Sequence, residues 1–399
     1  MKIRINTIII LGSCFLFASS PHLSQTTNNI FFLTVNLVLL LALIQKRFYR
    51  ITIKESLPII LFWLITVLCT FLNLGMSSRT VNAIVTGLRY VTLFMVYCQL
   101  SAETSVKEVA DVLFKILLVA TSLEDICVII TRGHGLVNDG TLAYYFFGNK
   151  FGVSYLHMFT LSLFLLHLFI AKGFVTKKKS FWLYLIFSVA MCIMADCNTG
   201  VIGCLVIGVM TFVAGKKDKF IMFIDSPIIY LTVFIGLTFL LVGTDVILNN
   251  SFLSDLLQKY SHTSKVLTGR VDMYKIALYA IARKPFWGYG INNTTVSDTL
   301  SWGNAQNGLL KMLLDYGMVG TVLFLNVCWH SIIQRVKGNV NNIIFPLLTF
   351  LYSMAVCSMV EINLSGYYFA GLALVNAAQV TRYYDMKNKT EDKNGCRYL

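Results

Sequence analysis

Charge is scarce in this chain. Asp, Glu, Lys and Arg make up only 13% of its 399 residues, against about 25% in an average soluble domain. With 56% apolar residues and a mean hydropathy of +0.70, that shortage excludes an ordinary soluble enzyme and a disordered chain. Acid is scarcer still, with 19 Asp and Glu against 33 Lys and Arg and a net charge of +14. The ten cysteines form no Cys-x-x-Cys pair and no His–Cys metal spacing, so they read as small buried hydrophobes. There is no Walker loop, Gly-x-Ser-x-Gly, His-Glu-x-x-His or Asp-x-Asp. The last absence argues against a metal-dependent transferase fed by a nucleotide sugar. No internal repeat marks duplicated halves, which disfavours one common transporter architecture.

Long apolar runs are abundant. A helix needs about 20 mostly apolar residues to cross a bilayer, and twelve segments qualify as candidates: 5–21, 30–44, 57–74, 82–100, 109–130, 153–171, 181–196, 199–214, 221–243, 306–333, 343–360 and 367–381. None alternates as a lipid-facing barrel strand would. The expected fold is therefore all-α and polytopic. Residues 1–243 hold nine helices, 244–305 form one large loop, 306–381 hold three helices and 382–399 form a tail. Segments 181–196 and 199–214 read as a hairpin turning at Cys197 and Asn198. With the N-terminus inside, 21 of the 33 basic residues fall in inside segments, and the short outside loops hold only Arg79, Arg132 and Lys150. This positive-inside bias predicts a membrane protein with both termini cytoplasmic. It accounts for the excess positive charge without a nucleic-acid partner. The first segment could serve as a signal peptide; an uncleaved anchor is preferred, because it keeps the charge pattern consistent.

The polar chemistry gathers at the outer side. Phe252 to Tyr260 reads as a short amphipathic piece. Thr268 reads as a cap of a helix with Gly269 and Arg270 in its first turn, and with Val271, Tyr274, Leu278 and Ile281 on its apolar face. Arg270 would then sit where free backbone N–H groups favour an anion, a diphosphate for instance; the competing reading is a solvated surface arginine. Pro285-Phe286-Trp287-Gly288-Tyr289-Gly290 is a tight aromatic turn. Trp287, Tyr289 and Trp302 can stack on sugars or form an interfacial aromatic belt. Ionisable residues inside lipid are costly and mark function. Arg89, Glu124, Asp125, Asp196, Lys311, Asp315 and Glu361 all fall in the outer half. Asn304, Asn307 or Gly308, Lys311 and Asp315 share one helical face. Lys311 and Asp315 can also simply neutralise each other at i,i+4. Lys115 can snorkel.

Thr268-Gly269-Arg270, Pro285, Gly288-Tyr289-Gly290, Ala305-Gln306-Asn307 and Gly317-Met318-Val319-Gly320 together resemble the bacterial O-antigen ligase and polysaccharide polymerase family. Its pattern is Gly-Arg, a helix, Pro-x-x-Gly-x-Gly, His-Asn and Gly-x-x-Gly. The resemblance implies a fold related to the membrane-embedded class C glycosyltransferases. It implies metal- and cofactor-free glycosyl transfer at the outer face of the plasma membrane, by an inverting displacement. Undecaprenyl-diphosphate-linked oligosaccharide would be both donor and acceptor, and a flippase and a chain-length regulator would be partners. Arg270 matches the family's loop arginine, and Arg89 resembles its membrane arginine. Gln306 stands where many members carry His, so the base passes to Glu361, then Asp315, then His262. Asn198 stands where many carry an arginine. The expected site is thus Arg270, Glu361 and Asp315 for catalysis, with Arg89, Lys311, Asn307, Gln306, Trp287 and Tyr289 on substrate. A polymerase is preferred to a ligase, and both to a flippase, because cations for the last would spread through the bilayer depth.

Overall fold

In lipid, every backbone N–H and C=O must be satisfied within the protein, and a helix satisfies its own. The computed structural model describes residues 2–18, 24–45, 50–138, 143–172, 179–215, 218–248, 265–300, 304–333 and 343–395. Helices lie over all twelve apolar segments. The first four are α1 (Lys2–Phe17), α2 (Gln25–Gln45), α3 (Arg50–Leu74) and α4 (Ser78–Glu103), followed by α5 (Val106–Ile130). A two-residue hairpin, β1 (Val137–Asn138) paired antiparallel with β2 (Ala143–Tyr144), then leads to α6 (Lys150–Lys172). Next come α7 (Lys179–Met194), α8 (Asn198–Ala214), α9 (Asp218–Ile224) and α10 (Pro227–Leu248). The last five are α11 (Lys265–Arg283), α12 (Thr295–Leu300), α13 (Gly308–Ile332), α14 (Ile344–Cys357) and α15 (Gly366–Gly395).

Among the described residues, five stretches are long and apolar enough to cross a membrane: Thr26–Gln45, Thr52–Leu74, Ser78–Glu103, Lys150–Phe169 and Gly308–Ile332. Five shorter apolar helices accompany them, in α1, α7, α8, α10 and α14. α5 has the length but carries six charged residues. α7 and α8 pack together as the expected hairpin, turning through Ala195, Asp196 and Cys197.

One expected span is two helices. The apolar run 221–243 breaks at Asp225 and Ser226, and Pro227 opens α10. Proline lacks the N–H that would continue α9, yet suits a first helical position. Ser77 caps α4 by accepting from the Thr80 N–H, and Ser105 caps α5 by accepting from that of Glu108. The first half of α15 is the buried centre of the bundle, wedged among α4, α13 and α14. Tyr368 is fully buried there, hydrogen-bonded to Tyr230 at 2.8 Å.

Candidate functional site

The entry to α13 organises one end of the bundle. Asn307 is fully buried, and its Oδ1 accepts from the Leu310 N–H at 3.0 Å, capping the helix. Its Nδ2 donates to the Met359 carbonyl at 3.0 Å, while the Gly308 N–H donates to Ser358 O at 2.8 Å. The start of α13 is thereby fastened to the end of α14. Asn363 Nδ2 closes the same turn onto Met354 O at 2.6 Å. These bonds fix Glu361 between α14 and α15.

The aromatic turn after α11 locks onto a kink in α13. Gly317 leaves the helical region with φ 61° and ψ −165°. The Tyr289 and Gly290 N–H groups each donate at 2.8 Å, to the carbonyls of Leu314 and Asp315. In return the Met318 N–H donates to Pro285 O at 2.7 Å. A Cβ on Gly317 would lie 2.3 Å from the Phe286 backbone, and one on Gly288, with φ 62°, 2.6 Å from Leu314 O. Gly288, Gly290 and Gly317 thus form a backbone clasp between the turn and α13.

Two adjoining polar cavities open beside this clasp. The larger, about 470 Å³, is lined by Arg89 and Glu361 together with Asn28, Asn149, Tyr155 and Asn304. The smaller, about 230 Å³, is lined by Lys311 and Asp315 with Asn82, Thr86 and Asn292. Tyr90, Ile362 and Ser365 line both. Arg89 is held from two sides. Its Nε and Nη2 donate to Leu16 O at 2.9 and 2.5 Å, and its guanidinium lies 3.6 Å above the Phe32 ring. It caps the C-terminal end of α1, where helix carbonyls lack partners and attract a cation. A membrane arginine thus finds its counter-charge in a helix end and a ring face, with further N–H donors left for the cavity.

Asp315 is buried, paired with Lys311 Nζ at 2.5 Å and hydrogen-bonded by Asn293 Nδ2. The mutual neutralisation expected at i,i+4 is present, and the pair still faces the smaller cavity. The other candidates lie elsewhere. Tyr289 turns its hydroxyl to Ala280 O at 3.0 Å and lies under Lys284. Trp287 is 43% exposed and lines neither cavity. Gln306 adopts φ 44° just before the cap, its N–H on Asn304 Oδ1 at 2.8 Å, and it too lines neither cavity. The shared face expected for Asn304, Asn307 or Gly308, Lys311 and Asp315 is partly split: Asn304 faces the larger cavity and Asn307 is the cap, while Gly308 and the charged pair line the smaller one.

α11 also differs from expectation. It begins at Lys265, so Thr268 is inside the helix and Arg270 lies past its first turn. That placement removes the free N–H groups on which a first-turn anion site depends. The Arg270 side chain, His262, Trp302 and Phe252–Tyr260 lie outside the described residues. The buried face of α11 is Met273, Tyr274, Ala277 and Ala280, packed on Val296, Leu310 and Leu314, while Leu278 is exposed. Small alanines face inward because they let α11 approach α13 closely.

Sequence reasoning missed Asn28, Asn149 and Tyr155. It had placed Glu124 near this end without a role. Glu124 is fully buried, and its carboxylate accepts from the Phe147 N–H at 3.2 Å, pinning the loop that carries Asn149. Tyr145, in the same loop, donates to Gly133 O at 2.6 Å, and burial pushes its phenol up to about 12. Asp125 binds buried His157 at 2.8 Å, and Asp196 pairs with Lys150 at 3.2 Å.

These features define an integral, all-α membrane protein with a cationic and carboxylate-lined cavity at one end of its bundle. Residues 183–325, from α7 through the glycine clasp into α13, match the family model described as O-antigen ligase. Over that stretch the chain is similar to the O-antigen ligase family. No curated protein and no solved structure matches the chain.

Proposed function

We propose that this protein is a polysaccharide polymerase that joins undecaprenyl-diphosphate-linked repeat units at the outer face of the plasma membrane. The observation that carries the reading is Arg89 and Glu361 lining one cavity of about 470 Å³. A permanently charged planar fork suits a diphosphate, and a carboxylate suits the proton of an acceptor hydroxyl. In the scheme, an acceptor hydroxyl oxygen forms a bond to the anomeric carbon of the growing chain. The bond from that carbon to the diphosphate breaks, and its electron pair leaves with the diphosphate. The acceptor proton passes to Glu361, and Arg89 stabilises the charge that develops on the leaving oxygen. No step calls for a metal. Lys311 and Asp315 hold the second sugar-bearing substrate in the adjoining cavity, and Arg270 approaches the diphosphate from the external loop. Twelve helical segments cross the membrane in this reading, with both termini cytoplasmic and a fold of the class C glycosyltransferase type.

The family description as a ligase favours one second reading, in which a finished chain passes to a final acceptor. The glycan profile of a deletion strain, resolved by lipid linkage and length, separates the two. Single repeat units without long chains are the outcome expected of a lost polymerase. Long chains still attached to lipid would make the protein a ligase, and an unchanged profile would remove it from glycan assembly. Arg270→Ala beside the deletion tests the loop arginine: polymer is expected to disappear with the protein still in the membrane.

A further inference from the structure

An apolar groove of about 420 Å³ runs between α1 and α5. Its floor is Cys14, Leu117 and Ala18, all buried, and Phe15, Val119 and Leu123 are left uncovered along its sides. Lys115 stands at its deep end, paired with Asp111 at 2.6 Å; every other lining side chain is apolar or a thiol. The groove extends from Ala18 down to Leu11, roughly 10 Å of helix at 1.5 Å per residue. Ala18 and Phe147 line both this groove and the larger polar cavity. The two spaces therefore share a wall at the end of α1 that Arg89 caps.

An anionic head group at Arg89 has its hydrocarbon tail covalently attached, and the tail must leave the cavity without burying polar groups in oil. The groove is the adjoining space with the right chemistry. We infer that the groove between α1 and α5 holds the polyprenyl tail of the lipid diphosphate whose head lies at Arg89. This rests on the glycosyl-transfer reading for the identity of the lipid. Small side chains at Ala18 and Ala120 leave the channel open, while Lys115 marks its inner limit.

The test is photo-crosslinking with full-length protein in phosphatidylethanolamine vesicles containing undecaprenyl diphosphate. A benzophenone amino acid replaces Leu123. The expected result is labelling of the polyprenyl lipid about tenfold or more above its mole fraction, a preference of that size being a modest binding energy. Ala120→Trp should abolish the preference and Ala120→Ser should keep it. Labelling that only follows mole fraction, or that survives Ala120→Trp, would mean that bulk phospholipid fills the groove and would overturn the inference. If Ala120→Trp fails to reach the membrane, the preference at position 123 decides alone. Binding is read without turnover, so the groove can fail while the deletion strain still lacks polymer. Equally, glycan assembly can prove unaffected while the groove still selects the lipid.

Discussion

Arg89 and Glu361 lie far apart in sequence and meet because two helix ends are tied down. Arg89 is fixed by Leu16 O and the Phe32 ring, and Glu361 by the bonds of Asn307, Gly308 and Asn363 around it. Glu361→Gln keeps the shape of the side chain and removes the base. Polymer synthesis in membranes should fall about 10²- to 10⁴-fold, with protein abundance unchanged; full activity would exclude Glu361 as base. Arg89→Lys keeps the charge, but an ammonium cannot hold the Leu16 carbonyl and present a planar fork to a diphosphate together. Its activity should fall with that of Arg89→Ala, and rescue by lysine would reduce Arg89 to a point charge. Ion cost in lipid marked both residues from sequence. Asn28, Asn149 and Tyr155 escaped because neutral polar residues at helix ends carry no such mark.

Elements set the site through the clasp between the aromatic turn and α13. Gly317→Ala would drive a methyl into the Phe286 backbone and force a non-glycine residue to φ 61°. The strain is about 1–3 kcal/mol or more, so thermal unfolding in detergent should shift down by several degrees. Gly288→Ala strains the same clasp, so the double variant should cost less than the sum of the singles; strict additivity would show that the two glycines act apart. Asn307→Ala removes a cap worth about 1 kcal/mol and frees the turn that carries Glu361. It should lower both stability and turnover, where Gln306→Ala, outside both cavities, should change turnover little; the reverse order would return Gln306 to the site. The sequence motif singles out these glycines and this asparagine, but not the backbone and capping contacts they make. Spacing alone does not say whether an N–H faces a ligand or a neighbouring carbonyl. The buried face of α11 was misread for a related reason: large residues draw attention, while Ala277 and Ala280 make the close contact.

At the scale of the whole molecule, the helical architecture was legible because bilayer thickness and backbone hydrogen bonding together dictate element length. Depth along each segment is inferred from the charged groups, which gather near water. What a linear pattern lacks is the angular position of each helix in the bundle. The cavity arises because the ends of α1, α2, α6 and α14 meet there, and no spacing along the chain encodes that meeting. Depth therefore carries the topology, and cysteine labelling can check it. The nine described native cysteines are buried, so an impermeant maleimide has little background among them. Asn292 is exposed and lines the smaller cavity. In intact spheroplasts Asn292→Cys should label at once and should be shielded when lipid-linked substrate accumulates. The tail cysteine, Cys396, should label only after permeabilisation. Labelling in the opposite order would invert the protein, place both cavities on the cytoplasmic side, and leave the outer-face reaction without a site.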